Sequence, residues 1–242
     1  FTAASSNGRL GLIVDASGAV AANDGMTLYI GGAATMESGA SQSFRIGDAP
    51  TSASTITLTE DASSASIFAS TDIRIRIPSG FGCTWDSTLT TMTIGGTAAG
   101  RVSATVAYPS TGTLLLDVLT DFQPGETLTI AGLKFRDFTA PSAADNLELE
   151  LDALGSVAAN DSRTITIGGK ASLTSASDQA FNVGDPSTAA ATLTATEAAV
   201  LPQLTAANDL RIAIPAGFPM AWDTTIVSAT IGGTASAKAD GT

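Results

Sequence analysis

The chain contains no histidine and one cysteine in 242 residues. Without histidine, neither a Ser-His-Asp nor a Cys-His catalytic arrangement can be assembled, and His-ligated metal sites fall with them. Cys83 alone excludes an intramolecular disulfide. Charge is scarce as well: charged residues make up 14% of the chain, with 11 Lys or Arg against 23 Asp or Glu. The net charge of −12 argues against nucleic acid and anionic membrane surfaces as partners, because phosphate binding needs clustered Lys and Arg. No apolar run approaches the roughly 18–20 residues of a membrane-spanning helix. No helical period with caps persists beyond a turn or two. Phe1 opens no signal peptide, so the sequence reads as a mature form or as a piece of something longer.

What the chain has is apolar residues, at 44%, spread among Ala, Ser, Thr and Gly. That mix, with Thr-Ile-Thr-Ile patterns, suits many short strands joined by small-residue turns. The clearest stretch runs from Asp72 to Asp86. Ile73, Ile75 and Ile77 alternate with Arg74 and Arg76, and a period of two puts the isoleucines on one face of a strand and the arginines on the other. Pro78 cannot donate to a ladder, so the strand ends there or lies at an edge. Pro-Ser-Gly then reads as a turn, followed by Phe81 and Trp85. Their copies are Phe218 and Trp222, and with only 5% aromatics in the chain the duplicated tryptophan reads as a core anchor between two sheets; the functional alternative is a ring on a sugar-binding surface.

This stretch returns as Asp209–Asp223. The offset is 137 residues, and over the 105 positions that can be compared nearly half are identical without a gap. Residues 1–32 match 138–169, and residues 33–105 match 170–242. Cys83 becomes Met220, so that position wants a soft apolar side chain and not a thiol. Residues 106–137 have no partner; they contain two further strand patterns, near 112–118 and 127–135. Two more are expected near 9–14 and 26–31. Repeats of this length indicate an array of globular modules and not a solenoid. Ile-Gly-Gly recurs at 30, 94, 167 and 231, where glycine suits a strand end entering a turn. It lacks the lysine and the glycine spacing of a phosphate loop.

Asp24, Asp48 and Asp86, with their copies Asp161, Asp185 and Asp223, sit at strand ends or turns. Asp is common there because its side chain caps local backbone groups. The other reading gathers such carboxylates around calcium, which would stiffen an array; no D-x-D-x-D-G loop is present, and no other cofactor is expected. Glu60 and Glu197 recur within Thr-x-Thr-Glu, but no second carboxylate stands at a fixed distance, so no enzyme is expected. Arg74 and Arg76 on one strand, and Glu148 and Glu150 on another, either face solvent or pair across strands. The solvated face is favoured, since Ala213 stands where the first copy has Arg76.

Asn208–Asp223 and Ala144–Asp152 resemble modules of very long secreted or surface-anchored microbial repeat proteins, which are similar to Ig-like β-sandwiches strung in tandem. The resemblance implies a stalk, fibre, adhesin or surface-layer role and carries over no catalytic residue. The expected fold is all-β, in tandem Ig-like β-sandwich modules with a 137-residue repeat and about seven or more strands per repeat. Residues 1–33 would end a preceding module or be strands donated to a neighbour. Residues 34–169 would form a complete module, and 170–242 the first part of the next. The rival framing puts the borders at Phe1 and Phe138. The expected function is a structural repeat unit of an extracellular or cell-surface filament, stalk or layer, with an adhesin or carbohydrate-binding module as the alternative. The expected partners are copies of the chain in a head-to-tail polymer, or further repeats of the same chain.

Overall fold

The computed structural model describes residues 5–14, 18–26, 28–151, 155–207 and 209–241. Within them the chain is all-β, as its composition implies. Two short 3-10 turns, Ala99–Arg101 and Ser236–Lys238, accompany the strands, with no α-helix among the described residues.

Four short strands come first: β1 (Ser5–Gly8), β2 (Gly11–Ile13), β3 (Val20–Asn23) and β4 (Leu28–Ile30). The alternation predicted two longer strands here. The ladder is interrupted beside Asp24, whose amide donates to the Leu10 carbonyl and whose carboxylate accepts from the Met26 amide at 3.1 Å. A short polar side chain of this kind offers the backbone a local alternative to the sheet. β1 pairs β4 and β2 pairs β3, both antiparallel, and among the described residues no other strand joins them.

The main body follows. Its first half holds β5 (Thr35–Ser38), β6 (Gln42–Arg45), β7 (Thr51–Ser52), β8 (Ile56–Thr59), β9 (Ile73–Arg76), β10 (Thr84–Trp85) and β11 (Thr93–Gly95). Its second half holds β12 (Val102–Ser110), β13 (Thr113–Val118), β14 (Thr127–Ala131), β15 (Lys134–Arg136), β16 (Ser142–Glu150) and β17 (Val157–Gly168). The larger sheet runs β11-β14-β8-β5-β17-β16-β9-β13-β12, with β6 also on β17; the smaller runs β10-β15-β7. The pairings are antiparallel except those of β17 with β5 and β6. Pro109 lies in β12, at the sheet's edge, where a missing amide does least damage.

Side chains from both sheets enter one apolar core, and its buried members all lie between Ala34 and Ile167. The period-two pattern explains which ones. Ile73, Ile75 and Ile77 are buried while Arg74 and Arg76 are half-buried on the opposite face. Ile56 and Leu58 on β8, and Leu128 and Ile130 on β14, alternate in the same way. Trp85 is 2% exposed and stacks on Phe135, with ring centroids 4.6 Å apart. Phe135 meets Phe44 edge to face, and Phe44 stacks on Phe138. Burying a side chain of this size is worth about 1.5–3 kcal/mol, so this aromatic row is a large part of what holds the body together.

Arg76 departs from the favoured reading. Antiparallel pairing of β9 with β16 puts Glu148 opposite Arg76 and Glu150 opposite Arg74. Arg76 Nε donates to Glu148 Oε2 at 2.7 Å, and its Nη1 pairs with the buried Glu150 carboxylate. The hydrogen bond that Arg76 donates to Glu148 holds the guanidinium pKa above its ordinary value.

The glycines of Ile-Gly-Gly serve two purposes. Gly96 and Gly233 both have φ of 87°, the left-handed region expected of a turn. Gly32 and Gly168 are instead sites of close approach. A Cβ on Gly32 would lie 2.0 Å from Asp61 Oδ2, and one on Gly168 would lie 2.8 Å from Leu201 Cβ.

The last strands are β18 (Ser172–Ser175) and β19 (Leu193–Thr196), an antiparallel pair. The chain separates into two compact units. One is Phe1–Lys170 with Ala198–Pro202; the other is Ala171–Glu197 with Gln203–Thr242.

Candidate functional site

The second unit repeats the local structure of residues 34–101 in detail. Pairing of β18 with β19 matches Ser172 to Thr196 and Ser175 to Leu193, the register in which β5 matches Thr35 to Thr59 and Ser38 to Ile56. Gln42 Nε2 donates to Ser52 O while its Oε1 accepts from Ser54 N; Gln179 makes the same two bonds to Ala189 and Ala191. The 3-10 turn at 99–101 recurs at 236–238.

Yet the copy lacks most of the strands. No strand forms at 179–182, 188–189, 210–213, 221–222 or 230–232, the counterparts of β6, β7, β9, β10 and β11. In the main body β7 and β10 pair with β15, β11 pairs with β14, β6 pairs with β17, and β9 pairs with β13 and β16. Those partners lie in residues 113–168, and among the described residues none of these segments of the copy has a strand beside it. β5 and β8 pair with each other, and they alone survive, as β18 and β19. An extended segment with no neighbour makes no ladder.

The result is an exposed apolar face. Leu173, Phe181, Leu210, Phe218, Met220, Trp222 and Ile231 are exposed. Their counterparts Met36, Phe44, Ile73, Cys83 and Trp85 are buried, and Phe81 and Ile94 pack against the core. Trp222 is 47% exposed where Trp85 is 2%. Large apolar side chains left exposed in such number mark a candidate interaction surface.

The hairpins β1–β4 and β2–β3 present the complementary situation. Leu10 and Leu12 are 60% and 58% exposed, whereas Leu147 and Leu149, their copies in β16, are buried against the core. In the main body β16 and β17 add to β9, β5 and β6. Asp161 anchors this addition: its carboxylate accepts from the Ser38 amide at 2.8 Å and from the Ser38 hydroxyl. It also accepts from the Arg163 amide at 3.0 Å, as Asp24 does from Met26. Arg163 meets Glu37 at 3.0 Å across the same seam.

The aspartates named as candidate calcium ligands occupy backbone-capping positions. Asp48 accepts from the Arg45 amide and Asp185 from the Asn182 amide. Asp86 accepts from the amide and hydroxyl of Thr88, and Asp223 from those of Thr225. These hydroxyl bonds come first among the causes that hold both carboxyls below the ordinary aspartate range. Among the described residues, no three His, Cys, Asp or Glu side chains gather in a group that could hold a metal ion. Glu60 is buried and anchors a loop, accepting from the Ile67 amide and the Ser66 hydroxyl; Glu197 accepts from the amides of Gln203 and Leu204.

A cavity of about 410 Å³ lies beside the Pro78–Phe81 turn, walled by Arg76, Cys83 and Ser110–Thr113. Burial pushes the Cys83 thiol up to about 12, so it stays protonated at neutral pH. The feature that sequence reasoning missed is the seam itself: Ser38 and Asp161 stand 123 residues apart, and no local signal links them. Comparison with protein-family models, with curated proteins and with solved structures gives no match.

Proposed function

We propose that the chain is a structural repeat unit of an extracellular filament, stalk or surface layer, whose Ig-like β-sandwich modules join through β-strand contacts. In this reading residues 34–169 are one complete module, 1–33 end a preceding one or serve a neighbour, and 170–242 begin the next. One observation carries the proposal: matching stretches bury their large apolar residues at 34–105 and expose them at 171–242. A surface left open in one copy, and filled in the other by strands of the same repeat, is what a modular chain needs at each junction. The net charge of −12 suits a protein that must stay soluble between assembly events.

The adhesin or carbohydrate-binding alternative finds its one support in exposed Phe218 and Trp222. Their copies Phe81 and Trp85 lie in or against the core, which argues that these rings are core residues awaiting a partner. Electron microscopy of the native protein, with antibody labelling of its cells, tests the reading. Fibres or a lattice with a regular module spacing, labelled at the cell surface, are expected. Dispersed particles and label confined to the cell interior overturn it.

A further inference from the structure

We infer that residues 5–30 of one copy of this chain close the 171–242 face of a second copy, taking the place that β16 and β17 hold in the main body. The inference rests on the reading above, in which modules join through strand contacts, and it names the strands and the partner. The argument is one of complementarity, position by position.

In the main body two sets of ion pairs cross the seam. Arg76 on β9 meets Glu148 and Glu150 on β16, and Glu37 on β5 meets Arg163 on β17. In the open copy Arg76 is replaced by Ala213, and in the hairpin Glu148 and Glu150 are replaced by Gly11 and Ile13. Likewise Glu37 becomes Thr174 and Arg163 becomes Met26. Both partners of both sets lose their charge together. The contact that needs no countercharge is kept: Asp161 and Ser38 recur as Asp24 and Ser175. Residues 5–30 therefore fit 171–242. They fit 34–105 poorly, because Arg76 and Glu37 would be left without counter-ions, and desolvating an unpaired charge is costly.

β16 and β17 pair, apart from each other, with β9, β5 and β6, whose counterparts 210–213, 172–175 and 179–182 are all present. In the inferred contact the Asp24 carboxylate accepts from the Ser175 amide and hydroxyl. Residues 28–31 run parallel to 179–182, and Leu12 lies opposite Ile212 as Leu149 lies opposite Ile75. One contact does not carry over: Gly82 donates to Ser142, but Pro219 has no amide to give Ser5. A hairpin at one end and an open face at the other make a heterologous contact, which propagates head to tail.

Sedimentation velocity of the full chain over a range of concentrations is the test. Reversible association is expected. S175A, which removes the hydroxyl bond, should weaken it about tenfold, the size expected for a hydrogen bond to a charged group; D24A, which removes both bonds, should weaken it more, and the double variant no more than D24A alone. I13E and A213R should each weaken it, and mixing these two single variants should restore it, since Ile13 of one copy would meet Ala213 of another. Association that none of these substitutions alters overturns the inference and leaves the structural-repeat reading standing. A chain that stays monomeric throughout overturns the inference and removes the main support of that reading. Concentration-independent closure, with the 5–30 amides protected in a monomer, overturns the second-copy partner.

Discussion

Residues 34–101 and 171–238 are two copies of one text with different outcomes. Each forms the same hairpin, the same glutamine bridge and the same aspartate-capped turns. Only the first has β6, β7 and β9 to β11, and only the first buries its tryptophan. Ile-Pro, Gly-Phe and Trp-Asp stand at matching positions in both, so these residues do not make the difference. It lies in the partners: strands between Thr113 and Gly168 pair with the first copy, and among the described residues no such strands pair with the second. Sheet structure and burial therefore depend on strands brought from elsewhere in the chain, while turns belong to the local chain.

Substitution of the paired tryptophans breaks the comparison most sharply. W85A is expected to destabilise the main body by about 3–5 kcal/mol, the range for truncating a large aromatic in a packed core. W222A should change the unfolding free energy of the lone chain by less than about 0.5 kcal/mol, as at other exposed sites. Urea denaturation followed by circular dichroism measures both. Equal effects would mean that Trp222 is packed in solution.

The anchoring aspartates come next. D161A leaves the buried Ser38 amide and hydroxyl without their acceptor, and should cost about 3 kcal/mol. D24A removes one exposed bond to Met26 and should leave the monomer's stability unchanged. Native-state hydrogen exchange should show faster opening of β17 in D161A alone; protection that persists there would sink the assignment of Asp161 as the anchor.

R76A should cost about 2 kcal/mol, because Glu150 is left buried with no counter-ion while Arg76 itself is partly exposed. Replacing both members, as R76M with E150L, should recover most of that loss. A213R should do little to the monomer, where position 213 is exposed. Thermal melts at two salt concentrations check the ionic origin: a salt-independent loss in R76A would point to lost packing of the side-chain stem.

The smallest effect is electrostatic and falls on both copies alike. The folded-state pKa of Asp86 is depressed, first by the Thr88 hydroxyl. Its contribution to stability is complete above the unfolded value of about 3.9 and is lost as pH falls through the lower folded value. Acidification from about pH 5 to about pH 2 should therefore weaken the main body. T88V should raise the Asp86 midpoint in an NMR titration, and T225V should raise that of Asp223. An Asp86 midpoint that T88V leaves in place would assign the depression to another neighbour.

Much of the fold was legible. The alternation from Ile73 to Ile77 named both the buried and the half-buried face, and the patterns near 112–118 and 127–135 became β13, β14 and β15. The duplicated tryptophan was named as a core anchor from its rarity, which holds for the buried Trp85 and not for Trp222, which is 47% exposed because among the described residues no strand covers it. The patterns near 9–14 and 26–31 failed in part, because the turn beside Asp24 competes with the ladder and an isolated hairpin has little packing to oppose it. Arg76 was misjudged because its pairing needs β9 and β16 to be neighbours, and strand order leaves no mark on either strand's own residues.

The sequence by itself determined whatever depends on residues a few positions apart: the alternating faces, the glycine turns at Gly96 and Gly233, and the Asp86–Thr88 and Asp223–Thr225 caps. It also determined the internal duplication. The turns and caps form at 171–242 as they do at 34–105, because their partners are nearby in the chain. Tertiary structure alone decided which alternating segments became strands, which tryptophan was buried, and which carboxylates faced Arg76. Each of those depends on groups brought from far along the chain, as Ser38 and Asp161 are, across 123 residues. Closing so long a loop is repaid only when a whole sheet and its core form together.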